Sequence, residues 1–278
     1  MVLSVGIVGL DYCGSTLMNN ILSGLPDCIG VGESHWIVDR ARNERQSGRC
    51  MECYQTPCPV FTADVYELLS DESKLEVGEW WSVMAESANV EVIISADKRP
   101  HHFDRFGVPD KLLLMMKDPR SHIVSWCRRK FPPDEKEKVH AYHRGEVSDM
   151  LSEDQFTTAL NFWIRETRKH LDWCEAAGRD LGVVSLESFV SDGEGTLNSI
   201  TKWLGVNNDI AALRFWETEL HYIGSNHSVK RMGKDRYFFK TVKLDERWKQ
   251  VLSDEQSSRI MGDERVVKLL ERLHTFVL

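Results

Sequence analysis

Gly9 and Gly14 bracket a short turn closed by Ser15 and Thr16, and the apolar run Val5 to Val8 leads into it. The chemistry this order offers is anion binding. A strand, a glycine-bounded turn and the start of a helix aim backbone N–H groups and a helix N-terminus at a phosphate. Gly9-x4-Gly14-Ser15-Thr16 meets a Walker A pattern everywhere except at the lysine, where the chain has Ser15. That lysine would neutralise the outer phosphates of a nucleoside triphosphate, so the turn suits a smaller phosphate. The plainer alternative is an ordinary strand-to-helix turn. Other groups carry chemistry of their own. Asp97-Lys98 sets a carboxylate beside a cation, and Lys117, Arg120 and Ser125 offer two cations and a hydroxyl for a second phosphate. Cys50-x2-Cys53-x4-Cys58 has the spacing of a tetrahedral zinc site. Cys28, His35, His101 and His102 are its candidates for a fourth ligand, and reduced thiols without metal are the alternative.

The elements that must position these groups follow from periodicity. Val5 to Val8, Cys28 to Val31, Val90 to Ser95, Leu112 to Met116 and Gly182 to Leu186 read as short apolar strands. Helices are expected from Ser15, in two pieces over residues 62–88, and over 121–130, 153–177 and 196–204, with two short ones at the end of the chain. Strands alternating with helices predict an α/β fold, a central and mainly parallel sheet flanked by helices. In such a sheet, ligands sit beyond the carboxyl ends of the strands, where the turn after Gly9, Glu33, Lys98 and Lys117 all fall. One domain over residues 1–278 is expected, with excursions at about 36–61 and 131–149 where a ligand pocket and lid are expected.

Composition narrows the function classes. The 278 residues carry 43 acidic against 35 basic groups, a formal charge of −8, which opposes a general nucleic-acid or anionic-membrane binder. Mean hydropathy is −0.36 and no run approaches the length of a membrane span. The start of the chain shows no export signal, so the expected location is the cytoplasm. Seven cysteines, an odd number, do not suggest a disulfide framework. The residues from Lys230 and Arg231 to Lys249 form a cationic segment on this acidic chain, suited to an anionic ligand.

These motifs, taken in order, resemble the sulfotransferases that use 3′-phosphoadenosine-5′-phosphosulfate, here on a P-loop-NTPase-like fold. Tyr12-Cys13-Gly14-Ser15-Thr16 stands where that family has a Lys/Arg-Ser-Gly-Thr-Thr turn for the 5′-phosphosulfate. Lys117 with Ser125, eight residues on, stands where the family binds the 3′-phosphate with Arg and Ser. Ser185 to Phe189, then Ile200 to Val206, are similar to a later strand and its Phe-Leu-Gly-Val run. His221 to Asn226 through Asp245 to Trp248 resembles the C-terminal cofactor loop, which would make Lys230 and Arg231 partners of the 3′-phosphate. Pro26-Asp27-x3-Val31-Gly32-Glu33 matches branches with a carboxylate base, which implies Glu33 in that role with His35 as the alternative. Tyr12 departs from the pattern. Either a phenol and backbone N–H groups steady the leaving phosphate, or Lys98 does, since Ser95-Ala96-Asp97-Lys98 resembles an Asp-Ser-Ser-Lys segment of bacterial members.

The resemblance implies sulfuryl transfer from that donor to a hydroxyl or amine of a small-molecule acceptor, leaving adenosine 3′,5′-bisphosphate. Oligomeric state and the acceptor are not written in the chain. Two other readings stay open. A P-loop kinase requires the lysine that Ser15 replaces, and a non-catalytic nucleotide-binding protein fits Tyr12 as well as an enzyme does.

Overall fold

The computed structural model describes residues 2–37, 50, 58–71, 74–104, 106–130, 150–222, 224 and 242–278. At its centre lie five strands: β1 (Leu3–Gly9), β2 (Cys28–Gly30), β3 (Val92–Lys98), β4 (Lys111–Met116) and β5 (Asp180–Ser185). Their order is β2-β3-β1-β4-β5, and every neighbouring pair is parallel. The register sets Val8 opposite Lys98 and Gly9 opposite Met115, so β1, β3 and β4 end at one edge.

A parallel sheet is covered on both faces, and strand alternation divides its side chains between two cores. On β4, Leu112 and Leu114 join a core with Ile123 of α5 (Pro119–Lys130) and Phe156, Trp163 and Leu171 of α6 (Glu153–Ala176). Leu113 and Met115 face the other way, toward Met18 and Ile21 of α1 (Ser15–Leu22) and Leu197 and Ile200 of α8 (Gly193–Leu204). Helices α2 (Ala63–Ser70) and α3 (Glu79–Ala88) add Tyr66, Leu69, Trp80, Trp81 and Met84 to the first core. The outer side of β5 is closed by the end of the chain: Val183 N–H donates to Phe276 O at 2.8 Å, and Leu278 N–H donates to Val183 O at 3.1 Å. That pairing blunts an otherwise exposed edge.

Several boundaries differ from the periodicity. β3 begins at Val92 because the Glu91 and Val92 N–H groups are engaged by the Asp27 carbonyl, and it runs on through the polar Asp97 to Lys98. α5 starts at Pro119, where a missing N–H is harmless. Leu186 belongs to a helix, α7 (Leu186–Ser191), whose first turn Ser185 caps through Ser188 N–H at 2.9 Å. A 3-10 helix, Ile210–Glu217, is capped by Asp209 and has no counterpart in the expected elements. The chain ends in three helices rather than two, α9 (Trp248–Val251), α10 (Asp254–Gly262) and α11 (Glu264–His274), after α4 (Pro100–Phe103) earlier on. The expected excursion over 131–149, and most of that over 36–61, lie outside the described residues.

Leu113 is fully buried between β4 and the second core. Leu113→Ala is expected to lower the unfolding free energy by about 2–5 kcal/mol, read as an earlier urea midpoint with unchanged slope. A loss under about 1 kcal/mol would mean that this face is not close-packed.

Candidate active site

The turn after β1 is shaped by its backbone. Gly14, the N-cap of α1, has φ +94° and Tyr12 has φ +70°, both left-handed. A side chain at Gly14 would be strained whatever the space around it, so the residue is held to glycine. No side chain caps α1 and its first turn holds no acidic residue, which leaves the helix N-terminus open to an anion. Cys13 is buried beside Ser15, and burial pushes its thiol up to about 11, so it is no nucleophile. Tyr12 does not stand without a cation: Arg129, near the end of α5, donates from Nη1 to the Tyr12 hydroxyl at 2.9 Å. Bonding and proximity to Tyr12, outweighing partial burial, raise the guanidinium above its ordinary value, and Asp11 and Glu33 add to this.

Glu33, beyond β2, and Lys98, at the end of the neighbouring β3, come together. Lys98, at φ +64°, ends β3 and donates from Nζ to Glu33 Oε1. Both side chains are only 14% exposed, so the pair is partly desolvated yet open to the edge. Trp36 Nε1–H donates to the other Glu33 oxygen at 2.9 Å. The Glu33 backbone is tied as well, its N–H donating to Gly224 O at 2.7 Å. This close approach needs Gly32, with φ +71°, because a Cβ there would stand 2.2 Å from the Gly224 carbonyl.

Beneath this pair lies Asp97, fully buried. Its carboxylate accepts from Ser34 Oγ, from Ser95 Oγ at 2.6 Å, from His35 N–H at 2.9 Å and from His35 Nδ1 at 2.5 Å. Burial alone would raise its pKa; the His35 bonds and charge, with Ser34, outweigh it and hold the carboxyl below its usual value. His35 stacks on His102 at 3.7 Å between ring centres. Burial and the neighbouring His35 push His102 down to about 4, so that ring is neutral at physiological pH.

At the end of β4, Lys117 Nζ lies 3.2 Å from Ser125 Oγ, as the eight-residue spacing anticipates. Both face a carboxylate: Asp245 Oδ2 is 2.7 Å from Lys117 Nζ and 3.3 Å from Ser125 Oγ, and Arg247 grips the same group at 2.6 Å through Nε and through Nη2. Burial would raise the Asp245 pKa, but the bonds from Arg247 and the Lys117 charge hold it far below the carboxylate range. Two cations and a hydroxyl here enclose one anion.

The model of the sulfotransferase family matches residues 5–209. The chain belongs to the sulfotransferase family. Among solved structures it is similar to the sulfotransferase domain of the Synechococcus PCC 7002 olefin synthase, 16% identical with a TM-score of 0.57 over 99% of this chain and 94% of that one. It is also similar to the sulfotransferase domain from the curacin biosynthetic pathway, 12% identical with a TM-score of 0.56 over 99% of this chain and 98% of that one. At these identities the likeness is one of fold. No curated protein matches.

Within this family member, the residues singled out from sequence fall into three groups. Tyr12, Cys13, Gly14, Ser15 and Thr16 form the turn and helix start, Glu33 meets Lys98, and Lys117 meets Ser125. Arg120 is not drawn into the anion cluster: it grips Asp118 through Nε and Nη2 and lies 3.9 Å from the centre of the Trp248 ring. Lys230, Arg231 and Cys53 lie outside the described residues, while Cys50 and Cys58 come together with His221. Arg129, Asp245 and Arg247 escape a reading by spacing, because each acts through a partner 117 to 128 positions away or through such a partner's ligand; Asp97 was singled out, but not its contact with His35.

Because the folded-state pKa of Asp245 is depressed, its stabilising contribution is complete above the unfolded value near about 3.9 and is lost as pH falls toward the folded one. Asp245→Asn is therefore expected to be less stable than wild type at neutral pH, with the gap narrowing below about pH 4. Urea titrations at stepped pH read this, and a gap independent of pH would refute the charged pairing.

Proposed function

We propose that the chain transfers the sulfuryl group of 3′-phosphoadenosine-5′-phosphosulfate to a hydroxyl or amine of a small-molecule acceptor, releasing adenosine 3′,5′-bisphosphate. The observation that carries this reading is the pair of separate anion sites along one sheet edge. One is the uncapped N-terminus of α1, without a Walker lysine. The other is the Lys117–Ser125–Arg247 cluster, already closed around the Asp245 carboxylate. A donor with a 5′-phosphosulfate and a 3′-phosphate presents two anions to match; ATP has no 3′-phosphate.

The residues fit this donor. The first-turn N–H groups of α1 with Ser15 and Thr16 would hold the 5′ end, and Arg129, bonded to Tyr12, supplies the cation that the turn itself lacks. Lys117, Ser125 and Arg247 would take the 3′-phosphate in place of Asp245, and Lys230 and Arg231 would add to that charge. The donor supplies an activated sulfur whose bond to the 5′-phosphate oxygen breaks as the acceptor oxygen or nitrogen bonds to it. Glu33 accepts the acceptor's proton, and Lys98 moves from Glu33 to the charge developing at the transferring group. His35, oriented by Asp97 through Nδ1, is the alternative base.

Adenosine 3′,5′-bisphosphate at about a hundredfold above its dissociation constant is expected to add about 2.7 kcal/mol and to raise the melting midpoint by several degrees. ATP should not do so, and a shift with ATP alone would return the kinase reading. Lys117→Met should abolish the shift. Asp245→Asn, by removing the competing carboxylate, should tighten bisphosphate binding by on the order of tenfold; weaker binding would show that Asp245 is not displaced.

For the chemistry, radiolabelled donor is offered to a panel of small phenols, alcohols and amines. Glu33→Gln is expected to lower kcat by roughly 10²- to 10⁴-fold with bisphosphate affinity unchanged. An undiminished rate removes Glu33 from the mechanism and passes the role to His35. Bisphosphate binding without transfer to any acceptor would favour the non-catalytic reading.

A further inference from the structure

The sulfotransferase reading leaves one cluster of buried ligating side chains unused. Cys50, Cys58 and His221 bring two sulfurs and an imidazole nitrogen within 4.8 Å of one another. Cys58 Sγ lies 3.4 Å from His221 Nδ1. Zinc bond lengths and tetrahedral angles require sulfur and nitrogen ligands about 3.6 Å apart and two sulfurs about 3.8 Å apart. The Cys58–His221 separation is thus near the one a metal would impose, and Cys50 lies within 4.8 Å of both.

The surroundings of the sulfurs point the same way. Phe61 N–H donates to Cys58 Sγ at 3.2 Å, and Tyr222 N–H donates to Cys50 Sγ at 3.1 Å. Backbone donors aimed at sulfur favour the thiolate, which is the form that binds metal. Outer bonds of this kind also fix ligand orientation. In a second ligating group, His35 with Asp97 and His102, the imidazole Nδ1 atoms are committed to the Asp97 carboxylate and carbonyl.

We infer that Cys50, Cys58 and His221 bind a structural zinc ion. His221 takes the place expected of Cys28, His35, His101 or His102; Cys53 lies outside the described residues. The ion would staple the loop beyond β2 to the segment Leu220–Tyr222, across 163 positions of sequence. That segment leads to Gly224, whose carbonyl holds the Glu33 backbone. The site is separate from the reacting groups, so the inference stands or falls independently of the donor.

The full chain, expressed with added zinc and purified under reducing conditions, is analysed by mass spectrometry of metals. About one zinc per chain is expected. Cys58→Ser and His221→Ala should each lose it, while Cys28→Ser keeps it. A chelator should lower the wild-type melting temperature. Because the ligand variants can fail to fold, cobalt is also loaded into the chelated wild type. Tetrahedral visible bands with sulfur-to-metal charge transfer support the site; a weak six-coordinate spectrum overturns it. Wild type purified without metal, zinc retained by folded His221→Ala, or a Cys50–Cys58 disulfide found by peptide mapping would each overturn it as well.

Discussion

The buried Asp97 carboxylate is the contact on which the geometry of the edge depends. A charge with no solvent access is tolerable only when its lone pairs are filled, and here they are filled by Ser95 of β3 itself and, from the turn after β2, by Ser34 and by the backbone N–H and Nδ1 of His35. Ser34 and His35 follow Glu33 directly in sequence, while Asp97 precedes Lys98. Satisfying one carboxylate therefore docks the turn after β2 onto the end of β3 and brings Glu33 to Lys98. The neighbouring strand register then sets this pair beside the glycine turn of β1.

Four cations at the edge are answered by carboxylates of the chain itself: Lys98 by Glu33, Lys117 and Arg247 by Asp245, Arg120 by Asp118. An anionic ligand arriving at such a site exchanges one partner for another rather than meeting a bare buried cation. Both lysines are neutralised by these partners within the chain. That arrangement is consistent with a chain that is acidic overall yet carries anion sites.

What could be read from sequence was local. Val5 to Val8 into Gly9, and Leu112 to Met116 into Lys117, declare buried parallel strands ending in polar turns, and the fold follows from them. Lys117 and Ser125 lie eight positions apart across a single strand-to-helix connection, so their spacing carried their meeting. Glu33 and Lys98 were each identifiable, but their ion pair was not, because it crosses 65 positions and depends on the sheet order. The Asp245 carboxylate in the Lys117 cluster was invisible for the same reason. So was Arg129, one of three consecutive basic residues at a helix end, where nothing in the spacing marks which of them turns toward Tyr12. His221 lies far from the cysteine run it meets, while nearer histidines offered themselves.

The family model ends at residue 209, yet the edge is completed by residues beyond it. Gly224 holds the Glu33 backbone, Asp245 and Arg247 close the Lys117 cluster, and Trp248 stacks on Arg120. The sheet supplies the fixed part of the site, through strand ends whose positions the core determines. The later chain is anchored in the first core by Val251, Ile260, Val266 and Leu269, and its Gly224, Asp245 and Arg247 reach the edge by polar contacts and a glycine-enabled close approach. Such contacts are individually weak next to the burial that holds the strands. Core burial therefore fixes where these segments lie, and the polar contacts set how their side chains meet at the edge.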